Sequence, residues 1–246
     1  MSESNEEAEA PIGGRRYLWI QPELLSVEAH GDLGLTPSDA PFAFTATSRG
    51  MPLTLGEFRS AQRHFPIVFT DADNPVPLAA IGLKEERNLF LDAEGRWDER
   101  VYMPAYLRSH PFALAKAAED RYALVIDRAA PAISKNPEVP FFENGELTEP
   151  VRKAIDFCQA YDAETERTRE FCARLKELDL LTPQRMRRDG AEEDMVRYFA
   201  VSVEKLDKLP ADVVEDLFRR GYMAVIFAHL FSLEMWNELL RRENRT

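Results

Sequence analysis

The chain changes character once, at Val151, and this change restricts its fold more than any other feature. Before Val151 the apolar residues come in short runs separated by proline and glycine. After it they recur at helical spacing over long stretches. Residues 42–45, 67–69, 78–83, 88–91 and 122–126 are rich in aliphatic and aromatic side chains and bounded by turn formers, so they read as strands. Asp92-Ala93-Glu94-Gly95, between residues 88–91 and Arg96-Trp97, reads as a tight turn with glycine where positive φ is needed. One helix interrupts the strands. Thr54-Leu55-Gly56-Glu57 is a capping box that starts it, with Leu55, Phe58 and Phe65 on one face. Residues 131–150 carry Pro131, Pro137, Pro140 and Pro150 and read as a long loop, with a small hairpin over residues 141–147.

Beyond Val151, the residues Val151, Ile155, Cys158, Tyr161, Phe171 (or Cys172), Leu175 and Leu178 form a helical stripe. Thr165 and Thr168 interrupt it, and Thr182-Pro183 is expected to stop it. Residues 198–203 are expected to return as a strand. Residues 211–220 make an amphipathic helix with Val213, Val214, Leu217 and Phe218 inward and Gly221 as its stop. Residues 222–240 are apolar on most faces and are expected in the middle of a bundle. The fold class expected is α+β: an N-terminal mixed or antiparallel sheet with one or two helices, and a C-terminal helical part packed on it. The expected division is an acidic disordered tail over residues 1–14 and a single domain over 15–246. That domain is β-rich over 15–130, a linker loop over 131–150 and mainly helical over 151–246. A strand at 198–203 that rejoins the first sheet would make the parts one domain.

Composition narrows the partners. With 246 residues, 45% of them hydrophobic, the chain can build a core without disulfides or metals. The net charge of −12 repels phosphate backbones and anionic lipid surfaces, so neither nucleic acid nor a membrane surface is expected. The longest apolar stretch, residues 223–233, is too short to span a bilayer. The acidic start has neither the basic nor the apolar region of a signal peptide, which points to the cytoplasm. Cys158 and Cys172 lie fourteen positions apart in one expected helix, about 21 Å at its rise. They cannot pair there, since a disulfide needs Cα atoms within roughly 7 Å. Reduced thiols fit the same compartment.

The densest chemistry lies in residues 95–112. Trp97, Tyr102, Tyr106 and Phe112 stand among Arg96, Arg100, Arg108 and His110, with Pro104 and Pro111 between. Amphipathic aromatics and bidentate cations suit a recognition surface. Trp97, Tyr102, Tyr106, Arg108 and His110 are therefore the candidates for binding a small-molecule ligand or a partner protein, with Arg108 as a carboxylate clamp. The competing expectation is that the aromatics pack in the core and the arginines pair with nearby acids. No catalytic constellation is evident, and His110 and His229 are the only acid–base candidates. For His229, on an apolar helix, a satisfied core histidine is the better expectation. His30-Gly31-Asp32 matches the H-x-D half of an iron facial triad, so His30 and Asp32 are the metal candidates, although the expectation is no metal and no cofactor. The acids around Asp71 and Asp92 lack the ligand spacing of a calcium loop and read as turns. The clusters Arg185, Arg187, Arg188 and Arg241, Arg242, Arg245 read as solvated faces.

A family resemblance joins these pieces. The chain resembles the SapC-like family of bacterial proteins through landmarks in order. They are His30-Gly31, Glu57-Phe58, Phe65-Pro66-Ile67-Val68-Phe69, Asn88-Leu89-Phe90-Leu91 running to Gly95-Arg96-Trp97, and Tyr102-Met103-Pro104-Ala105-Tyr106-Leu107-Arg108 with Pro111-Phe112. Residues 168–180, Lys205-Leu206 with Leu209, and Ala228-His229-Leu230 follow. The Tyr-x-Pro-Ala-Tyr-x-Arg segment is the most specific. The resemblance implies a shared fold and a genomic setting: surface-layer clusters, and genes beside flavin-dependent tryptophan halogenases, cupin-like proteins and outer-membrane nutrient receptors. It carries over no catalytic residues. Three functions are compatible with the sequence. The first is a cytoplasmic, non-catalytic binding or accessory protein, and a homo-oligomer fits it. The second is an enzyme with a histidine acid/base and an arginine anion anchor. The third is a surface-layer-associated protein.

Overall fold

The computed structural model describes residues 16–83, 86–118, 121–188 and 193–245. The acidic tail expected over residues 1–14 lies outside the described residues. The fold is α+β, with antiparallel sheets in the N-terminal part and helices in the C-terminal part. The chain divides into two compact units. One takes the residues up to Ser38 together with Ser109–Cys158; the other takes Asp39–Arg108 and the chain from Gln159 onward.

The first unit is built on a three-stranded antiparallel sheet. Its strand Arg121–Asp127 lies between Pro22–Leu24 and Phe112–Ala118. Alternation puts Phe112 opposite Ile126 and Leu114 opposite Leu124. These four pack with Leu33, Phe141, Val151 and Cys158 into one buried cluster. The stretch expected as a loop is instead short pairings. Gly34–Leu35 runs between Ile133–Ser134 and Val139–Pro140, and Phe142–Glu143 pairs with Glu146–Leu147. The prolines do not prevent this, because proline is tolerated at strand ends and edges. Gly34 is required at the centre: a Cβ there would lie 2.2 Å from the Val139 carbonyl oxygen. Asn144 and Gly145, with φ of 54° and 80°, close the small hairpin as expected.

The helix Glu149–Glu177 carries the stripe anticipated from Val151, and Cys158 and Cys172 are both buried on it. It does not stop at Thr182-Pro183. Asp179 turns left-handed with φ of 50°, and Leu180 N donates back to the Leu175 carbonyl at 3.0 Å. This ends the helix earlier and frees Thr182 and Pro183 for the strand Leu181–Met186.

The second unit contains a five-stranded antiparallel sheet in the order Leu181–Met186, Val196–Val201, Ile67–Phe69, Pro77–Ala80, Gly50–Pro52. The returning strand does join the earlier ones, but its ladder with Ile67–Phe69 closes only at Phe199 opposite Phe69. One step along, the helix Tyr222–Ser232 inserts two side chains. Val201 N donates to His229 Nε2 at 3.0 Å, and His229 Nδ1 donates to the Ile67 carbonyl at 2.8 Å. Ser232 Oγ accepts from Ile67 N at 2.9 Å. Backbone groups that a longer ladder would pair are thus satisfied by helix side chains.

Four expectations are corrected in this unit. Residues 88–91 form no strand; only Leu91 makes an isolated bridge, to Trp97. Residues 42–45 are not extended; Ala43–Thr45 is a 3-10 turn, and Thr45 Oγ1 donates to the Phe42 carbonyl at 2.8 Å. Phe218 does not face inward with Leu217: it is 74% exposed. Residues 222–240 do not run through the middle of a bundle. The helix Tyr222–Ser232 is followed by the turn Leu233–Met235 and the helix Trp236–Glu243, and Phe227 and Phe231 face out. No helix among the described residues is long and apolar enough to cross a membrane.

Candidate functional site

The site grows from a buried carboxylate, Glu57. The capping box forms as the sequence predicts, with Thr54 N and Thr54 Oγ1 donating to Glu57 Oε2 at 2.7 and 2.9 Å. Leu55 N, the next orphan donor of this turn, is taken by Thr168 Oγ1 at 2.7 Å. The other carboxylate oxygen reaches a distant segment. Glu57 Oε1 accepts from Ala105 N at 2.6 Å and from the Tyr102 hydroxyl at 3.1 Å. Ala105 begins the short helix Ala105–Ser109, so a capping residue of one turn also holds the start of another.

This arrangement winds the Tyr-x-Pro-Ala-Tyr-x-Arg segment around one charge. Arg108 folds back so that its Nη2 donates to the Tyr102 hydroxyl at 3.2 Å, with the guanidinium carbon 5.8 Å from the ring centre. The phenol accepts from the cation and donates to the carboxylate. Burial, and then the Glu57 charge, push the Tyr102 phenol up to about 12, so it remains a donor across the neutral range. Tyr106 lies against Tyr161, ring centres 6.4 Å apart, and the Tyr161 phenol is raised by burial and by the same carboxylate. The Arg108 side chain is exposed. A guanidinium oriented from behind by a phenol and a buried carboxylate can receive a planar anion.

The other candidates take different places. Trp97 is core: it is 5% exposed, stacks on Phe90 at 5.8 Å, and its indole N–H reaches the Val101 carbonyl at 3.4 Å. Arg96 pairs with Asp92 and Glu94, and Arg100 with Asp98. His110 belongs to the first unit, where its Nε2 lies 3.3 Å from Asp127 Oδ2 and its ring meets the Trp19 ring edge-on at 5.8 Å. Burial draws its pKa down, opposed by Asp127. Asp127 also accepts from Ile20 N at 3.1 Å and Gln21 N at 2.9 Å, so this pair anchors the incoming chain. Both ring nitrogens of His229 are engaged and the residue is fully buried.

The H-x-D pair does not act as a unit. His30 is buried with Nδ1 accepting from Ser26 N at 3.2 Å and Nε2 at 3.0 Å from Glu23. Both of its nitrogens are thereby used, while Asp32 is exposed beside Lys135. Among the described residues no three His, Cys, Asp or Glu side chains gather as metal ligands. Asp71 and Asp92 do make turns, accepting from Asn74 N at 2.5 Å and from Arg96 N at 2.9 Å. Arg242 departs from the solvated face expected of it. It lies over the Phe90 ring at 4.4 Å and donates to Asp98 at 3.1 Å, beside an open pocket of about 550 Å³ that Arg96 and Arg100 also line.

The residue that sequence reasoning undervalued is Glu57. Its capping role is local and legible, but its second oxygen serves a segment 48 positions away. The usable signal was Glu57-Phe58 standing in the same series of family landmarks as the tyrosine–arginine segment.

Fold and site together define an α+β protein in which a tyrosine- and arginine-bearing segment is wound onto a buried capping glutamate. The SapC family model matches residues 25–239, a span that contains every residue of this cluster, and the chain belongs to the SapC family. No curated protein and no solved structure matches it.

Proposed function

We propose that the protein is a non-catalytic binding or accessory protein of the cytoplasm, and that it holds an anionic group of its ligand at Arg108. The observation that carries this reading is the chain of hydrogen bonds from Arg108 through Tyr102 to buried Glu57. It spends a buried charge on orienting an exposed cation, which is the construction of a clamp rather than of a reacting group. The histidines favour the same reading, since His229 and His30 have both ring nitrogens committed. Two buried free thiols suit a reducing compartment. The genomic setting implied by the family suggests support of tryptophan halogenation or nutrient uptake, which makes L-tryptophan the first probe.

The test is calorimetric titration of the folded protein with L-tryptophan, then with simple carboxylates and inorganic phosphate. The expected result is saturable binding of one of these anions, weakened about tenfold or more in Arg108→Ala and less in Arg108→Lys. An Arg108→Ala protein that keeps its fold and all of its anion binding would overturn the reading. Fractionation that finds the protein at the cell surface would favour the surface-layer alternative.

A further inference from the structure

The helix Tyr222–Ser232 contains no acidic residue, lysine or arginine, yet among the described residues only one side of it is covered. Tyr222, Ile226, His229 and Ser232 are buried. On the other side Phe227 is 43% and Phe231 64% exposed, their rings stacked 6.1 Å apart. With Val203, Leu206, Val214 and Leu230 they line an apolar groove of about 470 Å³. Adjacent uncovered phenylalanines on such a groove mark an interaction surface.

Charge identifies the occupant. Among the described residues, Asp207 is the one charged residue lining the groove. The cations of residues 203–234 are all paired within the chain: Lys205 with Asp179, Lys208 with Glu204, Arg219 with Glu215 and Arg220 with Asp216. Asp207, which lines the groove, and Asp212 and Glu234 make no ion pair among the described residues, so the charge left over in residues 203–234 is negative. We propose that this groove docks an amphipathic helix of another protein, which places bulky apolar residues between Phe227 and Phe231 and a lysine or arginine against Asp207. A second copy would set Asp207 against an equally acidic surface on a chain of net charge −12, and an anionic membrane is repelled for the same reason. This surface is independent of the Arg108 clamp.

The test uses two fluorescein-labelled synthetic helices of about 18 residues, sharing one leucine–phenylalanine face and bearing either lysine or glutamate on its borders. Anisotropy is read with the full chain, with Phe231→Asp, with Asp207→Lys and with Glu28→Lys, an exposed charge reversal of equal size in the first unit. The lysine-bordered helix is expected to bind saturably at one per chain. Phe231→Asp should weaken it about tenfold or more, and Asp207→Lys should weaken it while Glu28→Lys does not. Arg108→Ala should leave it unchanged, which separates this proposal from the clamp. Circular dichroism and the urea midpoint confirm that each variant is folded. Equal binding by the wild type and Phe231→Asp overturns the proposal, as does no binding at about 100 μM. A dimer in light scattering that Phe231→Asp dissociates, or phosphatidylglycerol-vesicle binding that it abolishes, also overturns it.

Discussion

His229 occupies a place in a β-ladder with an imidazole, taking a donor from one strand and serving the carbonyl of the other. Only the neutral ring can do both, because the protonated form has two donors and no acceptor. Burial therefore pulls its pKa down to about 4. The sign follows from linkage. The unfolded chain takes up a proton near pH 6.5 and the folded one only near 4, so the contribution is whole above 6.5 and is lost as pH falls towards 4. The loss is expected to reach about 3 kcal/mol. Urea unfolding at steps from pH 7.5 to 4.5 should show a steeper decline for the wild type than for His229→Gln, although the variant is weaker at neutral pH. Parallel declines would mean that the ring titrates normally.

Among the elements, the best example of long-range dependence is the capped turn at Leu55, whose first amide is satisfied by Thr168 from the long helix. Thr168→Val keeps the shape but orphans that amide, and about 1–2 kcal/mol of stability should be lost in urea denaturation, with Thr168→Ser restoring most of it. Thr168 also shows the limits of reading the chain alone. In the sequence it only breaks a stripe, because a hydroxyl among apolar positions has no visible partner. The capping box, the Asn144-Gly145 hairpin and the strand Ile67–Phe69 were legible, since each rests on neighbours in sequence. Tyr102 and Arg108 were legible as an aromatic and a cation close together in the chain, but their dependence on Glu57 was not. Phe218 was misread because helical spacing assigns it a face without saying whether anything covers that face. The same gap hid the exposed side of Tyr222–Ser232, where uniform apolarity suggested full burial.

At the scale of the whole molecule, each compact unit holds one of the two cysteines, and both are nearly inaccessible. Burial alone pushes the Cys172 thiol up to about 12, so it is protonated as well as shielded. Titration with a disulfide reagent at pH 8 should find essentially no reactive thiol in the native protein and two after denaturation. Single-cysteine versions would then report the opening of each unit separately, and ready labelling of the native chain would contradict this packing. The interleaved order of the units also governs what a ribosome delivers. Ile67 N waits for Ser232, which lies 165 positions later. At about 5–20 residues per second that interval is roughly 10–30 s. Throughout it the apolar strand Ile67–Phe69 lacks the helix that completes it, and the inserted segment Ser109–Cys158 of the other unit lengthens the nascent chain's need for shelter.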